Sequence, residues 1–434
     1  MHLTLVFPSI GGRVRAVQLQ PLTMAALAGL TPDGVSIDFY DDRIENVPYD
    51  APTDLVAISV QTFTAKRAYE IAAEYRRRNV RVVLGGFHVT AVPDEAAGHA
   101  DAIVTGQAED LWPRVMEDAR AGRLQPVYRA ERPPSLRGLR YRRDIFNGKR
   151  YVPMHMVEFG RGCPYACGFC SVGEHYGHRK DCRPVDEVLD EIRALPRRML
   201  QFVDDNLIGD VERAKEFFRA LIPLKVRWIG QAGIEIAFDG ELLELAAASG
   251  CAGLLIGFES LNEENLREMG KSARCRAERF ADAIRRIHGR GIRICASFLF
   301  GYDRDTPEAF PATLQFANRQ KFALALFNHL TPFPGTPLYQ EMQAQQRLKY
   351  DRWWLTPGFR WGDVVYQPRH FSAGELADGC RLNRRGFYAP ANIFRRAAGP
   401  ANRRRLLESL AVNFLIRKDT LERQGSPLGL RQSS

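Results

Sequence analysis

The chain has 434 residues, 45% of them hydrophobic, and a formal net charge of +10. That length suits two or three domains, and no apolar run approaches the roughly 18–20 residues that span a bilayer. The charge belongs to one end: from Arg381 onward there are twelve Lys or Arg against three Asp or Glu, so the preceding 380 residues carry only +1, and nucleic acid is not an expected partner. Eight cysteines are too sparse for a disulfide scaffold, and Met1–Ile10 is a short apolar strand without the basic lead of a signal peptide. Both imply a reducing cytoplasm.

Residues 1–123 alternate strand-like and helical runs. Strands are predicted at His2–Phe7, Val35–Tyr40, Asp54–Val60, Val80–Leu84 and Asp101–Thr105, with an amphipathic helix over Ala65–Arg78 that sets Tyr69, Ala72 and Ala73 on its apolar face. Strands this rich in Val, Ile and Leu, separated by helices, imply a flavodoxin-like or Rossmann-like parallel sheet buried on both sides. A ligand of such a sheet sits at the carboxyl ends of its strands. Those ends carry Ser59, Gln61 and Thr62, then Gly85, Gly86 and His88, then Gly106. Glycine lets backbone approach a large ligand closely; ordinary turn chemistry is the alternative for any one of them. Residues 124–153 are rich in Arg and Pro and read as a linker.

Residues 154–345 read as a second α/β body. It opens on Arg161-Gly162-Cys163-Pro164-Tyr165-Ala166-Cys167-Gly168-Phe169-Cys170, a C-x3-C-x2-C run on a glycine-rich loop after a short strand. Thiolates so spaced can converge on one soft metal centre. A Cys3His zinc site is the competing reading, because His175, His178 and Cys182 follow closely. Strands are predicted near Met156–Phe159, Met199–Val203, Val226–Gly230, Gly253–Gly257, Ile292–Phe300 and Ala323–Leu330. Six βα units place the chemistry at the strands' C-terminal ends, where Asp204, Asp205, Gln231 and Glu259 fall. The remaining cysteines have no ligand spacing and read as small buried hydrophobes.

The cysteine run, with aromatic Phe169 before its last member, resembles that of the radical S-adenosylmethionine (radical SAM) superfamily. The segment from Val82 to Thr90, "VVLGGFHVT", followed by "DAIVTG", resembles the cobalamin-binding domain joined to many of its members. Two departures stand out: there is no Asp-x-His-x-x-Gly, and Gly106-Gln107-Ala108-Glu109 replaces a frequent Gly-Glu-Gly-Glu. Phe202–Asn206, Gly257–Ser260, Phe298–Tyr302 and Leu330–Pro337 resemble further family segments in the correct order, so the resemblance covers about residues 1–345.

The resemblance implies a partial (β/α)6 barrel of the TIM type. In it a [4Fe–4S] cluster is held by Cys163, Cys167 and Cys170, with one iron open to S-adenosylmethionine. Asp204, Asp205, Gln231 and Glu259 are then candidates for binding S-adenosylmethionine, Asp205 or Asp204 accepting from its ammonium. Ser59, Thr62, Gly85, Gly86, His88 and Gly106 are candidates for cobalamin, with no protein histidine as the lower cobalt ligand. A low-potential donor such as flavodoxin or ferredoxin is implied, and reductive cleavage of S-adenosylmethionine to a 5′-deoxyadenosyl radical. The function implied is a cobalamin-dependent C-methyltransferase acting on an unactivated carbon of a small-molecule or lipid substrate. The alternatives are cyclisation, C–C coupling or rearrangement without methyl transfer, and a non-enzymatic cobalamin sensor with structural zinc.

Residues 346–434 read as a C-terminal cap and basic tail. Three of the five tryptophans lie within residues 350–371, as a cap on the barrel, a substrate-pocket wall, or both. In the tail, Leu406, Leu407, Leu410, Ala411, Phe414 and Leu415 form a helical stripe between Arg403-Arg404-Arg405 and Arg417-Lys418. Such a helix either docks on the barrel or a second subunit, or lies on the inner face of an anionic membrane.

Overall fold

The computed structural model describes residues 1–10, 18–196, 199–271 and 275–422. Its described residues form two compact units: Met1–Met156 with Arg352–Phe359, and Val157–Asp351 with residues 360–422.

The first unit is built on β1 (His2–Phe7), β2 (Ser36–Asp41), β3 (Leu55–Ser59), β4 (Arg81–Gly85), β5 (Ala102–Thr105) and β6 (Val127–Arg129). They pair in parallel in the order β2-β1-β3-β4-β5-β6. The strands are apolar on both faces because both are covered: Leu3, Leu5, Val56, Ile58, Val82 and Leu84 are all buried. Helix Ala65–Arg77 supplies part of that cover through Ala68, Tyr69, Ala72 and Tyr75; Ala73, expected on the same face, is exposed. The chain departs from β1 to opposite sides toward β2 and β3, so the switch point lies between β1 and β3.

The expected linker 124–153 belongs to this unit. It contributes β6, and it buries Tyr128, Leu136, Leu139 and Phe146. Tyr128 also donates a 3.0 Å hydrogen bond to Asp118. Its Arg and Pro content concealed apolar residues too widely spaced to form a periodic run. Residues 352–359 also join this unit. Trp353 and Trp354 are buried, and Trp354 Nε1 donates to Glu95 Oε1 at 2.9 Å. The aromatic stretch expected as one cap is therefore divided, since Tyr366 and Phe371 belong to the core of the second unit.

The second unit begins within β7 (His155–Val157). A small antiparallel pair, β8 (Gly160–Arg161) and β9 (Asp181–Cys182), precedes β10 (Met199–Phe202), β11 (Arg227–Gln231), β12 (Cys251–Glu259), β13 (Arg293–Phe300) and β14 (Leu324–His329). The main sheet runs β14-β13-β12-β11-β10-β7, leaving β14 and β7 as edges. Helices Val185–Ala194, Val211–Leu221, Gly240–Ala248, Phe280–Gly289 and Ala309–Arg319 connect successive strands, which makes a partial (β/α)6 barrel. Its core is strongly aromatic, with Phe258 packed on Phe280 and Phe298 at centroid distances of 4.9 and 5.9 Å.

Three helices, Ala373–Phe387, Pro390–Ala397 and Leu406–Glu422, complete this unit. The last one docks through its polar side. Ser409, Asn413 and Thr420 are its buried residues, and Asn413 accepts from Arg396 at 2.8 Å and donates to the Ala323 carbonyl at 3.1 Å. Residues 423–434 of the tail lie outside the described residues.

Candidate active site

The cysteine loop leaves β8 through Gly162, which has φ +81°; a Cβ there would lie 2.3 Å from the Arg179 carbonyl oxygen, so only glycine fits. The loop is tied down at both sides. Cys170 N–H donates to the Cys167 carbonyl at 2.9 Å, and Leu338 N–H donates to the Gly168 carbonyl at 2.9 Å. Cys163, Cys167 and Cys170 line one cavity of about 150 Å³, which also receives Asp205, Gln231 and Glu259 from the ends of β10, β11 and β12.

The donor set fits a cluster. Burial pushes the Cys170 thiol up to about 11, and the neighbouring Cys167, Asp205 and Cys163 push in the same direction. Thiolates crowded in this way need a strongly cationic partner between them, which an iron–sulfur cluster supplies. Among the described residues, no group of three His, Cys, Asp or Glu is drawn together as a metal site, the three cysteines included. His178 instead lies 3.4 Å from the Tyr165 carbonyl and 3.4 Å from Glu174.

The two aspartates have separate tasks. Asp205 lines the cavity and accepts from Gly162 N–H at 2.9 Å, while burial raises its carboxyl above the usual range. Asp204 is outside the lining. Its oxygens accept from Phe159 N–H at 3.0 Å, Gly160 N–H at 2.7 Å and Lys180 Nζ at 2.6 Å, so it fixes the backbone leading into the cysteine loop. Its expected contact with S-adenosylmethionine is corrected on that ground.

Glu259 stands where β12 shifts register between Gly257 and Glu259. Its φ of +62° is costly for a residue with a Cβ, of order 1 kcal/mol or more. It is held by Lys271, whose Nζ lies 2.9 Å from Glu259 Oε1 and 3.0 Å from the Gly257 carbonyl. Burial opposes the Lys271 charge, but Glu259 and its neighbours outweigh that and keep the ammonium well above its usual range. Gln231 is solvent-facing on the cavity wall. Sequence reading missed Lys271 and Glu235, both in this lining. Glu235 accepts from the Tyr165 hydroxyl, yet it lies in a short 3-10 turn whose apolar neighbours advertise only core.

Beyond β13, Asp305 secures the turn at Gly301 and Tyr302 by accepting from their N–H groups at 2.8 and 3.2 Å and from Asn265 Nδ2 at 2.7 Å. Burial raises its carboxyl from 3.8 to about 6 in spite of these donors. The folded state therefore holds this proton more tightly than the unfolded chain. The associated stability, on the order of 3 kcal/mol, is present below pH 3.8 and is lost as pH rises through about 6. Wild type should thus gain stability relative to Asp305→Asn as pH falls from neutral to 4, read by urea unfolding; a difference that stays constant with pH contradicts this.

In the first unit the expected cobalamin residues divide. Gly85, Gly86 and Gly106 leave the ends of adjacent strands β4 and β5 without side chains, a bare crest that suits a broad ligand. Gly86 (φ +108°) and Gly106 (φ +81°) are also required locally, since a Cβ would meet the Val60 carbonyl oxygen at 2.7 Å and Ala130 Cβ at 2.9 Å respectively. Ser59 is half-buried at the end of β3. Thr62 and His88 are buried and face each other, His88 Nδ1 lying 3.3 Å from Thr62 Oγ1 and Nε2 3.1 Å from Glu95. Their expected part in ligand contact is corrected: they are interior packing.

An open barrel with a cysteine-lined cavity at its strand ends, and a parallel-sheet unit crowned by glycine, are the two parts expected of a radical SAM enzyme with a cobalamin-type domain. A family model of the radical SAM superfamily matches residues 157–317, and one of the B12 binding domain matches residues 9–115. Bacteriochlorophyllide d C-12(1)-methyltransferase of Chlorobaculum tepidum is 30% identical over 421 residues, covering 92% of this chain and 88% of that protein. Bacteriochlorophyllide d C-8(2)-methyltransferase of the same organism is 27% identical, covering 76% of this chain and 78% of that one. Among solved structures, the radical S-adenosylmethionine methyltransferase TsrM of Kitasatospora setae, with cobalamin and [4Fe–4S] cluster bound, superposes with a TM-score of 0.65 at 18% identity over 95% of this chain and 88% of that one. The chain belongs to the radical SAM superfamily, among the cobalamin-dependent methyltransferases that carry a B12-binding domain. Its cofactors are a [4Fe–4S] cluster, S-adenosylmethionine and cobalamin. Among the described residues, no helix is long and apolar enough to cross a membrane.

Proposed function

We propose that the chain methylates a carbon atom of a large apolar organic substrate, and that a chlorin macrocycle, the class of the bacteriochlorophyllide d named for the two Chlorobaculum tepidum relatives above, is the one to test first. The observation that carries the site assignment is the meeting of three thiols with Asp205, Gln231 and Glu259 along one cavity at the strand ends. Cys163, Cys167 and Cys170 would hold the cluster, and three ligands leave one iron for S-adenosylmethionine. Asp205 would accept from its ammonium, and Glu259, held by Lys271, from its ribose hydroxyls. When bound, the cofactors supply the electron, the radical precursor and the transferable methyl group, chemistry beyond any side chain. The protein's part is to orient and to exclude water. A flavodoxin or ferredoxin is the proposed electron donor.

Anaerobic turnover with S-adenosylmethionine carrying a deuterated methyl group tests the reading. A chlorin product heavier by one labelled methyl supports it. Cleavage of S-adenosylmethionine with no labelled chlorin would reject the substrate class and leave the site assignment standing.

His88 is not expected to ligate the metal of a bound cobalamin, because its ring is committed to Thr62 and Glu95. Electron paramagnetic resonance of the Co(II) protein should show no protein-nitrogen splitting, and the same spectrum should appear in His88→Ala. A splitting that disappears in that variant contradicts the assignment of His88 to packing.

A further inference from the structure

We propose that helix Leu406–Glu422 presents a docking face for an anionic lipid bilayer. The helix is turned inside out relative to an ordinary surface helix, which buries its apolar stripe and wets its polar one. Here the buried residues are Ser409, Asn413 and Thr420, at helical spacings of four and seven, with Ile416 partly buried against the core between them. The outward side carries Leu407, 82% exposed, and Leu415, 68% exposed, with Phe414 and Leu421 also exposed. The preceding helix extends this side, since Phe394 is 58% exposed and its ring lies 5.8 Å from that of Phe414. Scattered exposed leucines need no explanation, but an apolar stripe assembled across two helices marks a surface with a partner.

The charge identifies the partner. Arg395, Arg403, Arg405 and Lys418 are exposed around the stripe. Glu408, the acid nearest to the arginine run, is turned to the barrel, where it meets Arg293 at 2.7 Å and Arg227 at 3.3 Å. Lys418 lies 3.9 Å from exposed Glu422 and Arg405 3.6 Å from Glu408, so the basic surplus of the outer side rests on exposed Arg395, Arg403 and Arg404. A second copy of the chain would oppose like charges across such a face, whereas phosphate headgroups above acyl chains satisfy both features together. The polar inner side holds the helix on the barrel by hydrogen bonds, so its leucines remain available at the surface.

The test is flotation of the full chain with phosphatidylcholine vesicles and with phosphatidylcholine–phosphatidylglycerol vesicles, alongside light scattering for mass. Wild type should float with the anionic vesicles, remain behind with the neutral ones, and release as salt rises. Leu407→Glu with Leu415→Glu should lower the partition coefficient by about tenfold or more, with the unfolding midpoint unchanged because both positions are exposed. Arg403→Glu with Lys418→Glu should weaken binding to anionic vesicles alone. Equal recovery of all forms overturns the proposal. So does a wild-type dimer that the leucine variant dissociates without any vesicle binding, which would assign the face to a second copy.

Discussion

Replacing any one of Cys163, Cys167 or Cys170 with alanine is expected to abolish cleavage of S-adenosylmethionine, a loss of at least about a thousandfold, because these thiols would hold the cluster that supplies the electron for that step. The three thiols share one cavity, and Cys170 is kept from ionising by burial and by the other two. A two-thiol site leaves more than one iron without a protein ligand and cannot hold the cubane in place. Each reconstituted variant should lose the brown absorbance and the iron and sulfide of wild type. Cobalamin binding should persist, because the cysteines lie in the second unit and the B12-binding match ends at residue 115. Unchanged unfolding midpoints would show that the loss is chemical. A variant that retains its iron and cleaves S-adenosylmethionine at the wild-type rate removes that cysteine from the site. Parallel loss of cobalamin and cluster would point to misfolding, which Cys→Ser variants distinguish because serine preserves shape and polarity.

Much of this was legible in the sequence, for a physical reason. Parallel strands covered on both faces must be continuously apolar, so β1, β3, β4, β12 and β13 stand out as Val, Ile and Leu runs bounded by glycine or polar residues. The cysteine spacing is local and survives any error in the fold. What stayed hidden depends on contacts remote in sequence. β6 is three residues long and is a strand only because β5 offers an edge. Asp204 and Asp205 are adjacent in a strand-end segment and therefore face opposite ways; only the packing reveals that Lys180 occupies one side and the cavity the other. Lys271 reaches Glu259 from twelve residues away, with no periodicity to announce it. His88 looked like a strand-end ligand until Glu95 and Trp354 were found around it, the latter more than 250 residues distant. The tail helix was misleading in another way: Ser409, Asn413 and Thr420 are its buried residues, Asn413 bonding to Arg396 and the Ala323 carbonyl, and leucines of the expected stripe are left exposed.

The same adjacency gives the second large effect. Asp204→Ala should destabilise the second unit by about 3–5 kcal/mol, the range for breaking a buried ion pair by removing one partner. The side chains of Asp204 and Lys180 are 0% and 2% exposed, with Nζ and Oδ1 2.6 Å apart. Deleting the carboxylate leaves the ammonium buried without its counter-charge, and leaves Phe159 N–H and Gly160 N–H without their acceptor. Lys180→Met should cost less, because Asp204 keeps both backbone donors. In the double variant the stranded ammonium is gone, so about half of the Asp204→Ala loss should be recovered, a coupling that a double-mutant cycle in urea would read. Asp205→Asn provides the contrast: it should leave stability nearly unchanged while weakening the binding of S-adenosylmethionine. If Asp204→Ala proved within about 1 kcal/mol of wild type and instead weakened that binding, Asp204 would return to the cavity as a ligand. The placement of Phe159 and Gly160 would then need another cause.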